Sequence, residues 1–199
     1  MILGCFAGLM QTNIKRLMAY SSIANIGFAL VGLAVGGRSG MQAVLIYLAI
    51  YFVNTLGAFA VILCLRRHGK MIEQISDLSG LAKTNPVVAL VMVILMFSMA
   101  GVPPLAGFFG KYFVFLAAVE AHMVPLAVIG MLTSVVSAFY YLRIIKVMYF
   151  DEPQHPIDPL PDFGVKFTLA VAALYMLLFT FWPTPVIDGA AAATRSFLG

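Results

Sequence analysis

The chain has 199 residues and a formal net charge of +4 at pH 7; 62% of its residues are apolar and 10% are charged. Soluble domains carry about 25% charged residues, so this composition excludes an ordinary soluble enzyme, and its low charge also excludes a disordered or coiled-coil chain. Several apolar runs approach the roughly 20 residues that cross about 30 Å of hydrocarbon, which predicts an integral membrane protein.

Apolar runs recur along the chain and predict its helices. The stretch 1–11 is too short to cross a bilayer and is predicted to be the end of a helix. Leu17–Gly36 and Met41–Leu65 are each long enough for one crossing, with a turn predicted at 36–40 because Gly and Ser cluster there. The segment 70–85 mixes charged and apolar residues, so a short helix along the membrane surface and a solvated loop are both compatible with it.

The apolar run from Pro86 to Ala121 is too long for one straight crossing, since 36 residues (121 − 86 + 1) at 1.5 Å each make about 54 Å of helix. Interruptions at Gly101, Pro103, Pro104 and Gly107 lie inside it. The run therefore either turns back as a hairpin of two short spans or crosses once with an unwound middle. Two further spans, Val124–Met148 and Val165–Pro183, follow it.

The distribution of Lys and Arg favours the single, broken crossing. With one crossing, nine basic residues collect on one side and two on the other, whereas a hairpin reduces the bias to seven against four. The nine are Lys15, Arg16, Arg66, Arg67, Lys70, Lys83, Arg143, Lys146 and Lys166, and the two are Arg38 and Arg195. We therefore expect about five transmembrane helices, with the nine basic residues facing the cytoplasm.

Lys111 is the basic residue that this topology assigns to neither surface. It lies ten residues before Ala121, about 15 Å along a helix, too deep for its side chain to reach the membrane surface. A charge at such depth costs from about 2.5 to 10 kcal/mol or more, so an ionisable residue there is a candidate for function. Desolvation disfavours the ammonium, which suits a proton carrier beside a hydrated break. The alternative is a structural lysine that binds carbonyl groups freed by the break.

Other polar side chains within the spans are candidates to extend a proton relay, although the same residues also simply join membrane helices. They are Tyr20, Ser21, Ser22 and Asn25; Tyr47, Tyr51, Asn54 and Thr55; and Ser134, Ser137, Tyr140 and Tyr141. Glu120 and His122, beside the outer end of the broken span, are candidates for a proton exit or else polar residues of the interface. Cys5 and Cys64 have no partners at metal-ligand spacing, and no phosphate-binding loop or nucleophile motif occurs, so no metal or redox cofactor is expected on this chain.

Three motifs in order resemble the antiporter-like membrane subunits of complex I, the proton-pumping NADH:quinone oxidoreductase. The stretch Gln11–Gly27 reads QTNIKRLMAYSSIANIG, Tyr51–Phe59 reads YFVNTLGAF, and Phe97–Lys111 reads FSMAGVPPLAGFFGK. The likeness covers essentially the whole chain. Within the family it is nearest to the subunit N branch, because of the LGAF run, the lysine rather than glutamate at 111, and YYLRIIK at Tyr140–Lys146.

The resemblance implies an all-α membrane protein built from inverted five-helix repeats, each with a broken helix. The chain then corresponds to most of the second repeat (1–148, first helix truncated), a cytoplasmic loop (149–164), and a final helix with an outer tail (165–199). The first repeat is missing, so we expect a fragment or a split or truncated gene. The resemblance also assigns Lys111 to the family's titratable position, while Asn25 and Tyr51 stand where some sister subunits carry histidines.

These considerations predict a proton-translocating, non-redox subunit of a respiratory NADH:quinone oxidoreductase in a bacterial inner membrane. The predicted proton-transfer residues are Lys111, Tyr51, Asn25, Tyr20, Glu120 and His122. NADH, flavin, iron–sulfur clusters and quinone are expected on partner subunits, the partners being neighbouring antiporter-like and small membrane subunits in the lipid bilayer, with no nucleic acid. The alternatives are a subunit of a sodium/proton antiporter complex or membrane-bound hydrogenase, and a truncated structural remnant.

Overall fold

The computed structural model describes residues 1–153, 157–158 and 163–198, and these are mainly helical. Three helices are long and apolar enough to cross a membrane by themselves: α2 (Ile14–Val35), α3 (Gly37–Cys64) and α7 (Val124–Phe150). The shorter helices are α1 (Ile2–Leu9), α4 (Leu81–Thr84), α5 (Pro86–Ala100), α6 (Ala106–Glu120), α8 (Phe163–Leu178) and α9 (Thr184–Leu198). With α5 and α6 as two halves of one crossing, the predicted all-α membrane fold of about five crossings is confirmed.

The broken crossing has a clear local cause. Gly101 adopts φ +86°, which favours glycine, and its N–H donates to the carbonyls of Phe97 and Ser98, so α5 ends there. Pro103 and Pro104 follow and have no N–H with which to continue the helix. The chain becomes helical again at Ala106. The predicted interruption at Pro103–Pro104 is therefore confirmed as a break between two 15-residue helices.

Two other boundaries also follow from the sequence. Asn13 caps α2, since its side-chain oxygen accepts hydrogen bonds from the backbone N–H groups of Lys15 (3.0 Å) and Arg16 (3.1 Å). Pro86 is the first residue of α5, a position where its missing N–H costs nothing. The predicted turn at 36–40 is shorter than expected, because α3 already begins at Gly37.

The segment after α3 is neither of the two predicted alternatives. A two-stranded antiparallel hairpin, β1 (Arg66–Arg67) and β2 (Lys70–Met71), is followed by a 3₁₀ helix at Ile75–Leu78 and by α4. Ile75 and Leu78 are buried, so this segment is anchored to the helical core rather than solvated.

The C-terminal segment also differs from the prediction. The residues expected as an outer tail form α9, which contacts α3, and its Ala190 and Thr194 are buried. The final crossing helix α8 ends at Leu178, before the predicted Pro183. The predicted cytoplasmic loop 149–164 falls partly on residues 154–156 and 159–162, which lie outside the described residues.

Helix α3 lies in the middle of the bundle and contacts α2, α5, α6, α8 and α9. Small residues allow the closest approaches. A Cβ on Gly4 of α1 would lie 2.6 Å from the backbone nitrogen of Ala24 on α2, and a Cβ on Gly57 of α3 would lie 2.7 Å from Cβ of Ala172 on α8. Such close contact replaces hydrophobic burial as the main cause of helix association in lipid.

Candidate functional site

Lys111 lies on α6 with only 6% of its surface exposed, although its side chain is basic. Its Nζ atom makes three hydrogen bonds: to the carbonyl oxygens of Met99 (2.9 Å) and Ala100 (3.2 Å), and to Oγ of Ser134 on α7 (2.8 Å). The ring of Phe28 covers a further side, with its centroid 5.1 Å from Nζ, within cation–π range. An ammonium has three N–H donors, so all three have partners here.

The prolines explain why two of these partners are carbonyl groups. In a continuous helix the carbonyls of Met99 and Ala100 would accept from the N–H groups of residues 103 and 104, four positions later. Both positions are proline, which has no N–H. Lys111 supplies the missing donors and places its positive charge at the C-terminal, electronegative end of α5. The prolines thus free two carbonyl groups, and Lys111 is the residue that binds them.

On the other side of the break, Ser98 links the end of α5 to α6 and α3. Its Oγ accepts a hydrogen bond from the backbone N–H of Gly107 (3.1 Å), in the first turn of α6, and lies 3.0 Å from the side-chain amide of Asn54 on α3. A Cβ on Gly107 would lie 1.8 Å from the carbonyl oxygen of Ser98. Only glycine permits the two half-helices to approach this closely.

A small cavity of about 20 Å³ joins Lys111 to polar side chains of the neighbouring helices. A single water molecule needs about 10–15 Å³, so the cavity has room for one. Its polar lining comes from Asn25, Tyr47, Tyr51, Asn54, Ser98 and Lys111. The face of α3 that carries Tyr47, Tyr51 and Asn54 therefore points at this cavity.

A second group of hydrogen-bonded side chains continues from the cavity into the bundle. The Tyr47 hydroxyl donates to Oδ1 of Asn25 (2.8 Å), and Nδ2 of Asn25 donates to the Tyr141 hydroxyl (3.2 Å) and to Oγ of Ser21 (3.2 Å). Ser21 and Tyr141 are also hydrogen-bonded to each other. These four residues, from α2, α3 and α7, are all buried and form a continuous series of groups that can both donate and accept.

The structure brings together some of the predicted proton-transfer residues and not others. Asn25 and Tyr51 line the cavity with Lys111, and the Tyr51 ring stacks on Tyr47 with centroids 6.2 Å apart. Tyr20 is half-buried and does not line that cavity. Glu120 and His122 are exposed at the far end of α6.

Ser134 carried no specific signal in the sequence. It appeared only among the polar residues of the spans, because hydroxyl groups in membrane helices usually join helices. Tyr47 and Tyr141 appeared there too, and Tyr141 also lies in the motif Tyr140–Lys146. Ser98 was visible solely as part of the motif around the break. Among the described residues, no group of three or more His, Cys, Asp or Glu side chains is placed to hold a metal ion.

Comparison with known proteins identifies the family. The family model described as "NADH:quinone oxidoreductase/Mrp antiporter, TM" matches residues 1–137. The chain belongs to this family. NADH-quinone oxidoreductase subunit N of Paramagnetospirillum magneticum is 55% identical over 195 residues, which are 98% of this chain and 40% of that protein. The resemblance to antiporter-like subunits of complex I, and to subunit N among them, is thereby confirmed.

Solved structures show the same fold. A chain of respiratory complex I from Thermus thermophilus superimposes with a TM-score of 0.80 at 32% identity, over 94% of this chain and 42% of that one. A chain of the archaeal membrane-bound sulfane sulfur reductase gives a TM-score of 0.84 at 26% identity, over 98% of this chain and 39% of that one. The chain thus spans about 40% of the length of the relative from Paramagnetospirillum. The membrane family and the long apolar helices indicate a membrane location.

Proposed function

We propose that this chain contributes a proton-translocating half-channel to a respiratory NADH:quinone oxidoreductase of a bacterial inner membrane, with Lys111 as the group that takes up and releases the proton. The observation that carries the proposal is the position of the lysine. A buried lysine amine lies at a helix break, beside a cavity with room for one water molecule. Intramembrane ionisable residues in such positions mark ion pathways.

The surrounding groups suit a proton relay. Beyond the cavity, Tyr47, Asn25, Tyr141 and Ser21 form a connected series of hydrogen bonds across three helices. Each hydroxyl group can accept a proton on one side and donate on the other. In this proposal the hydroxyl groups and water would carry protons to or from Lys111. Asn25, whose amide oxygen only accepts and whose NH₂ group only donates, would hold the hydroxyls of Tyr47 and Tyr141 in place. Glu120 and His122, exposed at the outer end of α6, stay candidates for the exit.

The coupling would be electrostatic. NADH, flavin, iron–sulfur clusters and quinone belong to partner subunits in this proposal, and this chain carries no redox step. A charge change in a neighbouring subunit alters the proton affinity of Lys111, and the access of water then alternates between the two membrane faces. The break places irregular backbone beside a cavity with room for one water molecule, an arrangement that membranes tolerate where such backbone lines a cavity.

Three substitutions of Lys111, made in the assembled complex, test the proposal. Lys111→Met fills a similar volume without the desolvation cost, so the complex should assemble while proton pumping per electron falls strongly. Lys111→Arg should also impair pumping, because guanidinium stays protonated, whereas Lys111→Glu retains a titratable group and should keep part of it.

The measurement is proton uptake per electron transferred in membrane vesicles, with assembly followed on native gels. A purely structural lysine gives the opposite order: Arg is tolerated best, and Met reduces assembly rather than pumping. Normal pumping by a normally assembled Lys111→Met complex would remove Lys111 from the mechanism.

The second candidate is a subunit of a complex other than an NADH:quinone oxidoreductase, such as a sodium/proton antiporter. The similarity to a chain of the membrane-bound sulfane sulfur reductase supports it, since the same fold occurs there. Purification of the complex followed by an assay of NADH oxidation with a quinone separates the two. Sodium-dependent proton exchange without NADH oxidation would favour the second candidate.

A further inference from the structure

The three partners of the Lys111 amine are not chemically equivalent. The backbone oxygens of Met99 and Ala100 can only accept hydrogen bonds. Ser134 offers a hydroxyl 2.8 Å from Nζ, which can accept or donate. The three acceptors therefore match the charged ammonium, which has three donors and no lone pair.

The neutral amine has different needs. It keeps two N–H donors, which the two carbonyls still satisfy, and exposes a lone pair that needs a donor. Ser134 can supply that donor by rotation of its O–H bond, with no movement of the backbone. A buried polar atom without a hydrogen-bond partner is costly, so the Ser134 hydroxyl lowers the free-energy cost of the neutral Lys111 amine at the break.

We infer that Ser134 is a positioning residue for proton exchange at Lys111, whose hydroxyl holds Nζ in place in both protonation states by reversing the direction of one hydrogen bond. The inference rests on the proposed function of Lys111. Ser134 is half-buried and lines the groove between α6 and α7 together with Lys111, Tyr112 and Phe115. The hydroxyl therefore has free space on its groove side in which to turn.

The chain offers a matched control on the same helix. Ser137 lies one turn further along α7, is buried, and does not line the cavity beside Lys111. Its hydroxyl donates to the backbone carbonyl of Ser134 (2.7 Å). Loss of the Ser137 hydroxyl thus removes a serine hydrogen bond of α7 without removing a partner of Lys111.

The experiment measures proton uptake per electron in membrane vesicles for Ser134→Ala, Ser134→Thr and Ser137→Ala in the assembled complex. Ser134→Ala should lower pumping about tenfold, the effect expected when one buried hydrogen bond is lost. Ser134→Thr keeps the hydroxyl and should restore most of it, while Ser137→Ala should pump normally. Normal pumping by Ser134→Ala, equal loss in Ser134→Thr, or equal loss in Ser137→Ala overturns the inference. Failure of the Ser134→Ala complex to assemble overturns the inference too, because the inference assigns this hydroxyl to proton exchange and not to assembly.

A double variant separates this inference from the proposed function. If Ser134 acts through the lysine, Lys111→Met with Ser134→Ala should pump no worse than Lys111→Met alone, since residues that act as a unit are non-additive. A further loss in the double variant contradicts the inference. If Lys111→Met alone pumps normally, the proposed function fails. If Lys111→Met stops pumping but Ser134→Ala does not, only the role of Ser134 fails.

Discussion

The close approach of the two half-helices at Gly107 can be tested by a single added carbon. In Gly107→Ala, the Cβ atom would lie 1.8 Å from the carbonyl oxygen of Ser98, whereas real Cβ atoms essentially never lie within 3.0 Å of such a neighbour. The half-helices must therefore separate by at least 1.2 Å (3.0 − 1.8). This displacement also stretches the 3.1 Å hydrogen bond from the Gly107 N–H to Oγ of Ser98.

The expected cost follows from three contributions. Overpacking that moves backbone costs about 1–3 kcal/mol, and the loss of a buried hydrogen bond adds about 1 kcal/mol. Alanine offsets about 1 kcal/mol of this, because it is a better helix former than glycine. The Gly107→Ala variant should therefore be destabilised by about 1–3 kcal/mol.

The assay heats the detergent-extracted complex in steps and measures the fraction that remains assembled on native gels. Gly164→Ala on α8 is the matched control, since no described residue has an atom within 4 Å of a Cβ at that position, and it should behave as the wild type. If Gly107→Ala is as heat-stable and as abundant as the control, the close contact that defines the break does not exist.

Three further variants test other contacts. Tyr47→Phe removes the donor to Oδ1 of Asn25 and should lower heat stability by about 1–3 kcal/mol on the same gels. Arg143→Gln removes a guanidinium that donates to the carbonyl of Leu9, the last residue of α1, so the amides of α1 should exchange hydrogen faster by mass spectrometry. The carboxylate of Asp158 accepts from the backbone N–H of Gly69 (2.8 Å), and this bond lowers its pKa. The pKa of Asp158 is lower in the folded protein than in the unfolded chain, so the contact stabilises the hairpin at pH values above the ordinary carboxyl pKa of about 3.9. This stabilisation is lost as the pH falls through the pKa of the folded state. Asp158→Ala should therefore speed amide exchange at the hairpin at pH 7. Unchanged exchange in Arg143→Gln would contradict the contact with α1, and unchanged exchange in Asp158→Ala would contradict the contact with the hairpin.

The membrane class, the long helices and the break were predictable from the sequence because each depends on local patterns. Apolar runs of about 20 residues have to cross the bilayer, and Gly101 followed by two prolines has to end a helix wherever the chain is placed. The depth of Lys111 followed from the same counting. The hairpin at Arg66–Met71 and helix α9 were missed, because distant parts of the chain hold both in place. Asp158 accepts hydrogen bonds from the hairpin residues His68 and Gly69, and α9 packs against α3.

The chemistry of the site was decided by tertiary structure. The sequence identified Lys111 as an unusual charge and, in the structural alternative, named carbonyl groups freed by the break as its partners. Only the structure shows which carbonyls bind it and that Ser134 joins them, since residues that lie 12, 11 and 23 positions away supply its hydrogen bonds. The meeting of Ser134 with Lys111 depends on how α7 packs against α6, and that of Tyr47 with Asn25 on how α3 packs against α2. Side-chain hydroxyls in membrane helices look alike in a sequence, and their role depends on which neighbour the packing places within hydrogen-bonding distance.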